Sequence, residues 1–182
     1  MAGLVITYDP VERFVVGTVG EPGERTFFLQ ARHGSRLTSV LLEKAQVAAI
    51  VERLDLLLRE LRRLDPKFTI TSLPRDDEPL EQPIIEEFRV GLISLSWLSD
   101  RELVSIELQA TSDQDANEED LFIESPVDAP DVLQVILTSA QTEAFIKRAT
   151  SVVNAGRPPC PFCGLPLDLR GHVCPRANGY RR

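Results

Sequence analysis

Three cysteines and a histidine fall within fifteen positions near the end of the sequence, spaced C-x2-C-x8-H-x-C from Cys160 through Cys163 and His172 to Cys174. No other stretch restricts the chain as much, because four soft or borderline donors in two close pairs must converge on one point if they share an ion. Cys160-Pro161-Phe162-Cys163-Gly164 reads as a tight knuckle that aims both sulfurs together, with Gly164 free to adopt a backbone conformation that side chains resist. Four protein ligands leave no open position for water, which marks a structural zinc site rather than a catalytic one. The spacing therefore predicts structural zinc on Cys160, Cys163, His172 and Cys174. These are all the cysteines in the sequence, and a secreted disulfide framework would favour an even number, so a reducing, cytoplasmic setting is expected.

Upstream, the hydrophobic period alternates between strand and helix. Val11 to Val19, about Arg25 to Arg32 and Ser35 to Leu42 read as antiparallel strands, punctuated by Gly20-Glu21-Pro22-Gly23-Glu24 and His33-Gly34. Lys44 to Arg63 then places Val47, Ile50, Val51, Leu54, Leu57, Leu58 and Leu61 on one face of an amphipathic helix of about five turns, which should lie across the sheet. Asp65-Pro66 stops it, and the acids and prolines up to residue 87 (Pro66, Pro74, Pro79, Pro83) argue for an exposed connection. Glu86 to Leu98 and Glu102 to Thr111 form a hairpin with one buried and one wet face. From Ser112 to Asp131 there are eight acids and no base, a solvated loop. Val132 to Leu137 is a short strand, and Thr138-Ser139-Ala140-Gln141 is a capping box opening a helix through Ala155, with Phe145, Ile146, Ala149, Val152 and Val153 inward.

Residues 40–53 align without gaps onto residues 135–148 with six identities, Val40/Val135, Leu42/Leu137, Ala45/Ala140, Gln46/Gln141, Ala49/Ala144 and Arg53/Arg148. Strand-into-helix junctions resemble one another, so the match has a bland reading; the other is a duplicated βββα unit, about 11–63 and 89–155. The expected fold is α+β: two βββα halves, an antiparallel sheet with two long helices in residues 1–156, plus a zinc knuckle in residues 157–182.

Charge divides the chain in the same place. From Arg157 onward five arginines face Asp168 alone, a balance of +4, so the overall −8 leaves −12 on residues 1–156. An acidic body does not coat nucleic acid along its surface, although Arg176, Asn178, Tyr180, Arg181 and Arg182 combine cations with an aromatic, as a phosphate or single-stranded nucleic-acid contact would. A solubilising terminus, or one docking on the acidic body, is the plainer expectation for these residues. No apolar run reaches the ~18–20 residues that span a bilayer, and no membrane partner is expected. Asp113, Asp115, Asn117 and Glu124 imitate a calcium loop, but Glu118 stands where its sharp turn needs glycine, so a plain acidic loop is expected. No phosphate loop, nucleophile triad or supported carboxylate pair appears, and an enzymatic cleft could draw only on Arg32, His33, Arg36 and scattered carboxylates. The reading leans away from an enzyme, and no catalytic residue or organic cofactor is assigned.

Tyr8-Asp9-Pro10 through Phe14, the Arg25 to Arg36 hairpin, Leu41-Leu42-Glu43-Lys44 with Gln46, and the terminal Cys160-Pro161, Cys163-Gly164, Pro166, Gly171-His172, Cys174-Pro175-Arg176 and Asn178-Gly179-Tyr180 carry a resemblance. They resemble an actinobacterial domain family of unknown function, of about this length and ending in that metal-binding signature. The resemblance implies a cytoplasmic bacterial protein with no assigned activity. At the level of fold alone, antiparallel strands followed twice by a long helix are similar to the Whirly and PUR-repeat single-stranded nucleic-acid binders. The leading expectation is a non-enzymatic interaction or adaptor protein with an unidentified protein partner. The alternative is a single-stranded nucleic-acid-binding regulator.

Overall fold

The computed structural model describes residues 3–21, 23–111, 129–156, 160–165, 167, 172 and 174–176. Its strands are β1 (Val5–Tyr8), β2 (Arg13–Val19), β3 (Thr26–His33), β4 (Arg36–Leu42), β5 (Glu86–Leu98), β6 (Leu103–Ala110) and β7 (Val132–Thr138), and its helices are α1 (Lys44–Leu64) and α2 (Ser139–Asn154). The strands join in the order β1-β7-β6-β5-β4-β3-β2. This is a mixed sheet: β1 runs parallel to β7 and β4 parallel to β5, and the other pairs are antiparallel.

Chain geometry forces this sheet to curl. β1 and β2 sit at opposite edges, which six strand spacings of ~4.8 Å would hold ~29 Å apart in a flat sheet. The connection from Tyr8 to Arg13 reaches at most about 18 Å. The edges therefore approach each other, and the Val11 amide donates to the Ile136 carbonyl of β7 at 3.4 Å. Inside the curl the described residues form one core: Phe14, Val16, Leu29, Val40, Ile106, Leu133 and Val135 from the strands meet Val47, Ile50, Leu54, Phe145 and Ala149 from the helices. Phe14 and Phe145 stack at 4.7 Å between ring centroids, joining β2 to α2.

Both helices begin with the same device. The amides of Glu43 and Thr138 donate to Oε1 of the glutamine three residues on, Gln46 and Gln141, and at α2 the Thr138 hydroxyl accepts from the Gln141 amide in return. Each glutamine also donates from Nε2 to a strand-side carbonyl, Gln46 to Val90 and Gln141 to Val11, both at 2.9 Å. The cap thereby fixes where the helix crosses the sheet. α1 buries Val47, Ile50, Leu54 and Leu58 and stops at Asp65, before Pro66.

Three features depart from expectation. β1 adds a strand in a stretch to which the sequence reading assigned no element, held by pairing with β7 and by the Leu4 amide donating to Asp131 Oδ1. β2 buries both faces rather than alternating, with Val15 and Gly17 covered as well as Phe14 and Val16. The hairpin is not evenly one-sided either: β6 buries Val104, Ser105, Ile106 and Leu108, while β5 buries Val90 alone and leaves Leu92 exposed. β4 meets β5 only at Ser39↔Glu86 and Leu41↔Arg89, so the rest of β5 has β6 as its one partner.

The second burial of β2 comes from residues 65–85. Largely exposed, as their composition suggested, they are nonetheless tied down as a strap that wraps the β2 edge and crosses the outer face of the sheet. Asp76 receives Arg13 Nε at 2.7 Å on Oδ2, and Arg13 Nη2 and Arg148 Nη1, each at 3.0 Å, on Oδ1. Arg148, 7% exposed, also donates to the carbonyls of Val16 (2.7 Å), Asp76 (2.6 Å) and Glu78 (2.7 Å). Further along, the Glu81 amide donates to Gln30 Oε1 at 2.8 Å, and Gln30 Nε2 returns a bond to the Glu81 carbonyl at 3.0 Å. Leu80 lies over Gly17 so closely that a Cβ there would stand 2.6 Å from Leu80 Cγ. Arg32 Nε comes within 2.9 Å of Glu81 Oε1 without hydrogen-bond alignment, an ionic contact only.

Candidate metal centre

The chain leaves α2 at Asn154 and reaches the knuckle at Cys160. Two backbone bonds close the knuckle loop: the Gly164 amide to the Cys160 carbonyl at 2.8 Å, and the Cys160 amide to the Leu165 carbonyl at 2.7 Å. Gly164 adopts φ 76°, the left-handed region that glycine enters without steric cost. That turn brings Cys163 back beside Cys160 and faces amides toward the first sulfur.

His172 and Cys174 complete the set. The Sγ atoms of Cys160, Cys163 and Cys174 and a ring nitrogen of His172 all lie within 4.8 Å of one another. Cys160 Sγ is 3.8 Å from Cys174 Sγ, far beyond a disulfide bond, and all three cysteines are free. Cys163 Sγ is 3.2 Å from His172 Nε2. Cys160 and Cys174 are buried while Cys163 and His172 are half-buried, so the donors converge on a partly shielded centre that could hold a metal ion.

The electrostatics favour a cation there. Hydrogen bonds from the backbone at Cys163 and Phe162, helped by His172 and the Cys163 side chain and opposed by burial, lower the Cys160 thiol to about 6. Burial first, then the neighbouring sulfurs, push the Cys163 thiol up. One thiolate is thus favoured and a second beside it is opposed, a conflict that a bound cation removes.

The other candidates are dispersed. Arg176 is exposed and its Nη1 donates to the Phe162 carbonyl at 3.3 Å, so its described contact returns to the knuckle itself. Asn178, Tyr180, Arg181 and Arg182 lie outside the described residues, as does the acidic stretch from Asp113 to Glu124. His33 Nδ1 sits 2.9 Å from the Pro10 carbonyl and 4.0 Å from Glu12, Arg32 pairs with Glu12 at 3.1 Å, and Arg36 reaches the Thr7 carbonyl at 3.3 Å. These are ties between strands and turns rather than a shared reactive centre. Trp97 is half-buried, with Phe68 edge-on at 5.9 Å. Among the described residues, no helix is long and apolar enough to cross a membrane.

Sequence reasoning missed the Arg13, Asp76 and Arg148 cluster. In α2, Arg148 follows Phe145 and precedes Ala149, a position any polar residue on a wet flank could take. Its alignment with Arg53 was the one available signal, and it said nothing about burial.

Comparison with the curated proteins finds no match, and comparison with the solved structures finds none either. A family model of proteins of unknown function, DUF3090, matches residues 6–174, from β1 through the last cysteine ligand. The body and the Cys/His cluster therefore fall within one family unit, and the chain belongs to the DUF3090 family.

Proposed function

We propose that the cluster holds a structural zinc ion and that the chain is a non-enzymatic interaction protein of the cytoplasm. Its metal-ordered terminal segment presents Arg176, Asn178, Tyr180, Arg181 and Arg182 to a protein partner. The observation that carries the reading is the mutual approach of four donor atoms within 4.8 Å, all from protein side chains. A tetrahedral zinc with Zn–S bonds of ~2.3 Å sets sulfurs ~3.8 Å apart and a sulfur ~3.6 Å from an imidazole nitrogen. The 3.8 Å Cys160–Cys174 separation fits, and the 3.2 Å Cys163–His172 separation needs only a small opening. Three thiols and an imidazole are a soft set that suits zinc rather than calcium or magnesium.

A closed set leaves the ion nothing to do but hold the chain. Structural zinc contributes ~10–16 kcal/mol in small metal-ordered folds, enough to order a segment with few apolar residues of its own. The ordered loop exposes Phe162 and Leu165, at 63% and 50%, beside Arg176. Apolar side chains next to a cation suit a protein surface better than water. The body beneath is built from two βββα halves, a reading supported by the element order and by the matching roles of Gln46 and Gln141. Affinity capture with the full chain and with the Cys160→Ser/Cys174→Ser variant tests the role. Partners lost with the ligands support it, and identical partner sets overturn it.

A further inference from the structure

Two cradles in the body are built from aligned residues, and one of them is filled. In the first, α2 lies over β2: Gln141 bonds the Val11 carbonyl, Phe145 stacks on Phe14, and Arg148 bonds the Val16 carbonyl. In the second, α1 lies over β5: Gln46 bonds the Val90 carbonyl, and Ile50 and Arg53 face Ile93 and Leu95. Gln46, Ala49, Ile50 and Arg53 align with Gln141, Ala144, Phe145 and Arg148. Val90, Ile93 and Leu95 of β5 stand at the same intervals as Val11, just before β2, and Phe14 and Val16 within it.

The first cradle receives the strap. Leu73, Pro74 and Asp76 line what remains of it, a cavity of about 210 Å³, and Arg148 takes the carbonyls of Asp76 and Glu78 together with the Asp76 carboxylate. At the second cradle a groove of about 430 Å³ is lined by Ala49, Ile50, Arg53, Leu57, Ile93 and Leu95. Arg53 there is exposed and takes no ion pair among the described residues, while the adjoining half of β5 pairs with β6 alone.

We infer that the α1/β5 groove is a docking site for an extended acidic segment of a partner protein, seated as the strap is seated on α2 and β2. The partner's apolar side chains pack on Leu57, Ile93 and Leu95. An Asp or Glu of the partner pairs with Arg53, as Asp76 pairs with Arg148. Charge complementarity selects the occupant: an exposed guanidinium that lines an apolar groove and takes no ion pair among the described residues is matched by a carboxylate flanked by apolar residues, the pattern of the strap's own sequence Leu73-Pro74-Arg75-Asp76-Asp77-Glu78-Pro79-Leu80. The inference extends the interaction role proposed above to the body of the protein. Its failure would leave the metal result untouched.

The test is fluorescence polarisation with a labelled synthetic peptide of residues 73–81, titrated against the full-length metal-loaded protein. Saturable binding is expected, at least tenfold weaker for Arg53→Gln and unchanged for Arg59→Gln, which removes an equal charge from an exposed site on the same helix. Exchanging the peptide's three consecutive acids for their amides should weaken binding by a similar factor. No saturable binding up to ~1 mM peptide, where the interaction would be worth only about 4 kcal/mol, overturns the inference. So does equal weakening in the two arginine variants. Binding that emerges only when the acids of residues 112–128 are replaced by amides would make the chain's own acidic stretch the occupant and overturn the assignment to a partner.

Discussion

Asp76→Asn isolates the contact that turns a polar connection into part of the fold. The aspartate carboxylate accepts from Arg13 twice, from Arg148 once and from the Glu78 amide at 3.0 Å. Asparagine keeps the shape and one acceptor oxygen. With that oxygen in the Oδ1 position it still meets Arg148, Arg13 Nη2 and the Glu78 amide, now without its charge. Its NH2 then faces Arg13 Nε, donor against donor. One charge-assisted bond is lost and three are weakened, at about 1.5–3 kcal/mol for each such bond when intact. Arg13 retains Glu81 and the Glu78 and Pro79 carbonyls, and Arg148 retains three carbonyls, so neither cation is stranded. Because Asp76 is 31% exposed, water recovers part of the loss, and the net expectation is about 2–3 kcal/mol. Urea unfolding gives the global figure, and hydrogen exchange at the Glu81 amide, bonded to Gln30, reports whether the strap peels first. A variant within about 0.5 kcal/mol of the parent, with Glu81 protection unchanged, would refute the view that this carboxylate fastens the strap.

The same group sets an acid limit. The Arg13 hydrogen bonds, with further help from the Arg13 and Arg148 charges and the Glu78 amide and against burial, hold the Asp76 carboxyl below its ordinary value. Its contribution is therefore complete above the ordinary aspartate range near ~3.9 and is lost as pH falls through the lower folded value; an acid titration of stability should show this limb, absent in Asp76→Asn. Gly17→Ala should cost about 1–3 kcal/mol through the clash with Leu80, and Leu80→Ala should relieve most of it; additive losses in a double-mutant cycle would contradict that contact. Thr138→Ala removes the oxygen that accepts the Gln141 amide at 3.2 Å and should cost α2 about 1 kcal/mol, read from thermal unfolding.

What could be read in advance was local. The heptad-like run Val47, Ile50, Leu54 and Leu58 and the Thr138–Gln141 capping box depend on neighbours within one helix, and both stand where their periods placed them. The Cys/His cluster was legible for the same reason, since its ligands are close in sequence and a glycine serves the turn between them. β1 was not, because four residues acquire strand structure only from β7, more than a hundred residues away. Nor was the strap: prolines and acids carry no period, and its order comes from Arg13, Gln30 and Arg148 on three separate elements. The burial of Arg148 follows from the strap and shared its invisibility. Lengths and periods say where a polar residue lies on a helix, not what later crosses over it.

The central claim is that Cys160, Cys163, His172 and Cys174 hold one zinc ion whose task is structural. Metal analysis of protein purified without added zinc, combined with far-UV circular dichroism and urea unfolding before and after chelation, tests it most directly. The account predicts one zinc per chain, none in Cys160→Ser/Cys174→Ser, and chelation that releases the terminal segment while leaving the unfolding of the α+β body in place. Protein that carries no metal, or a metal content unchanged by removing the two cysteines, would contradict it.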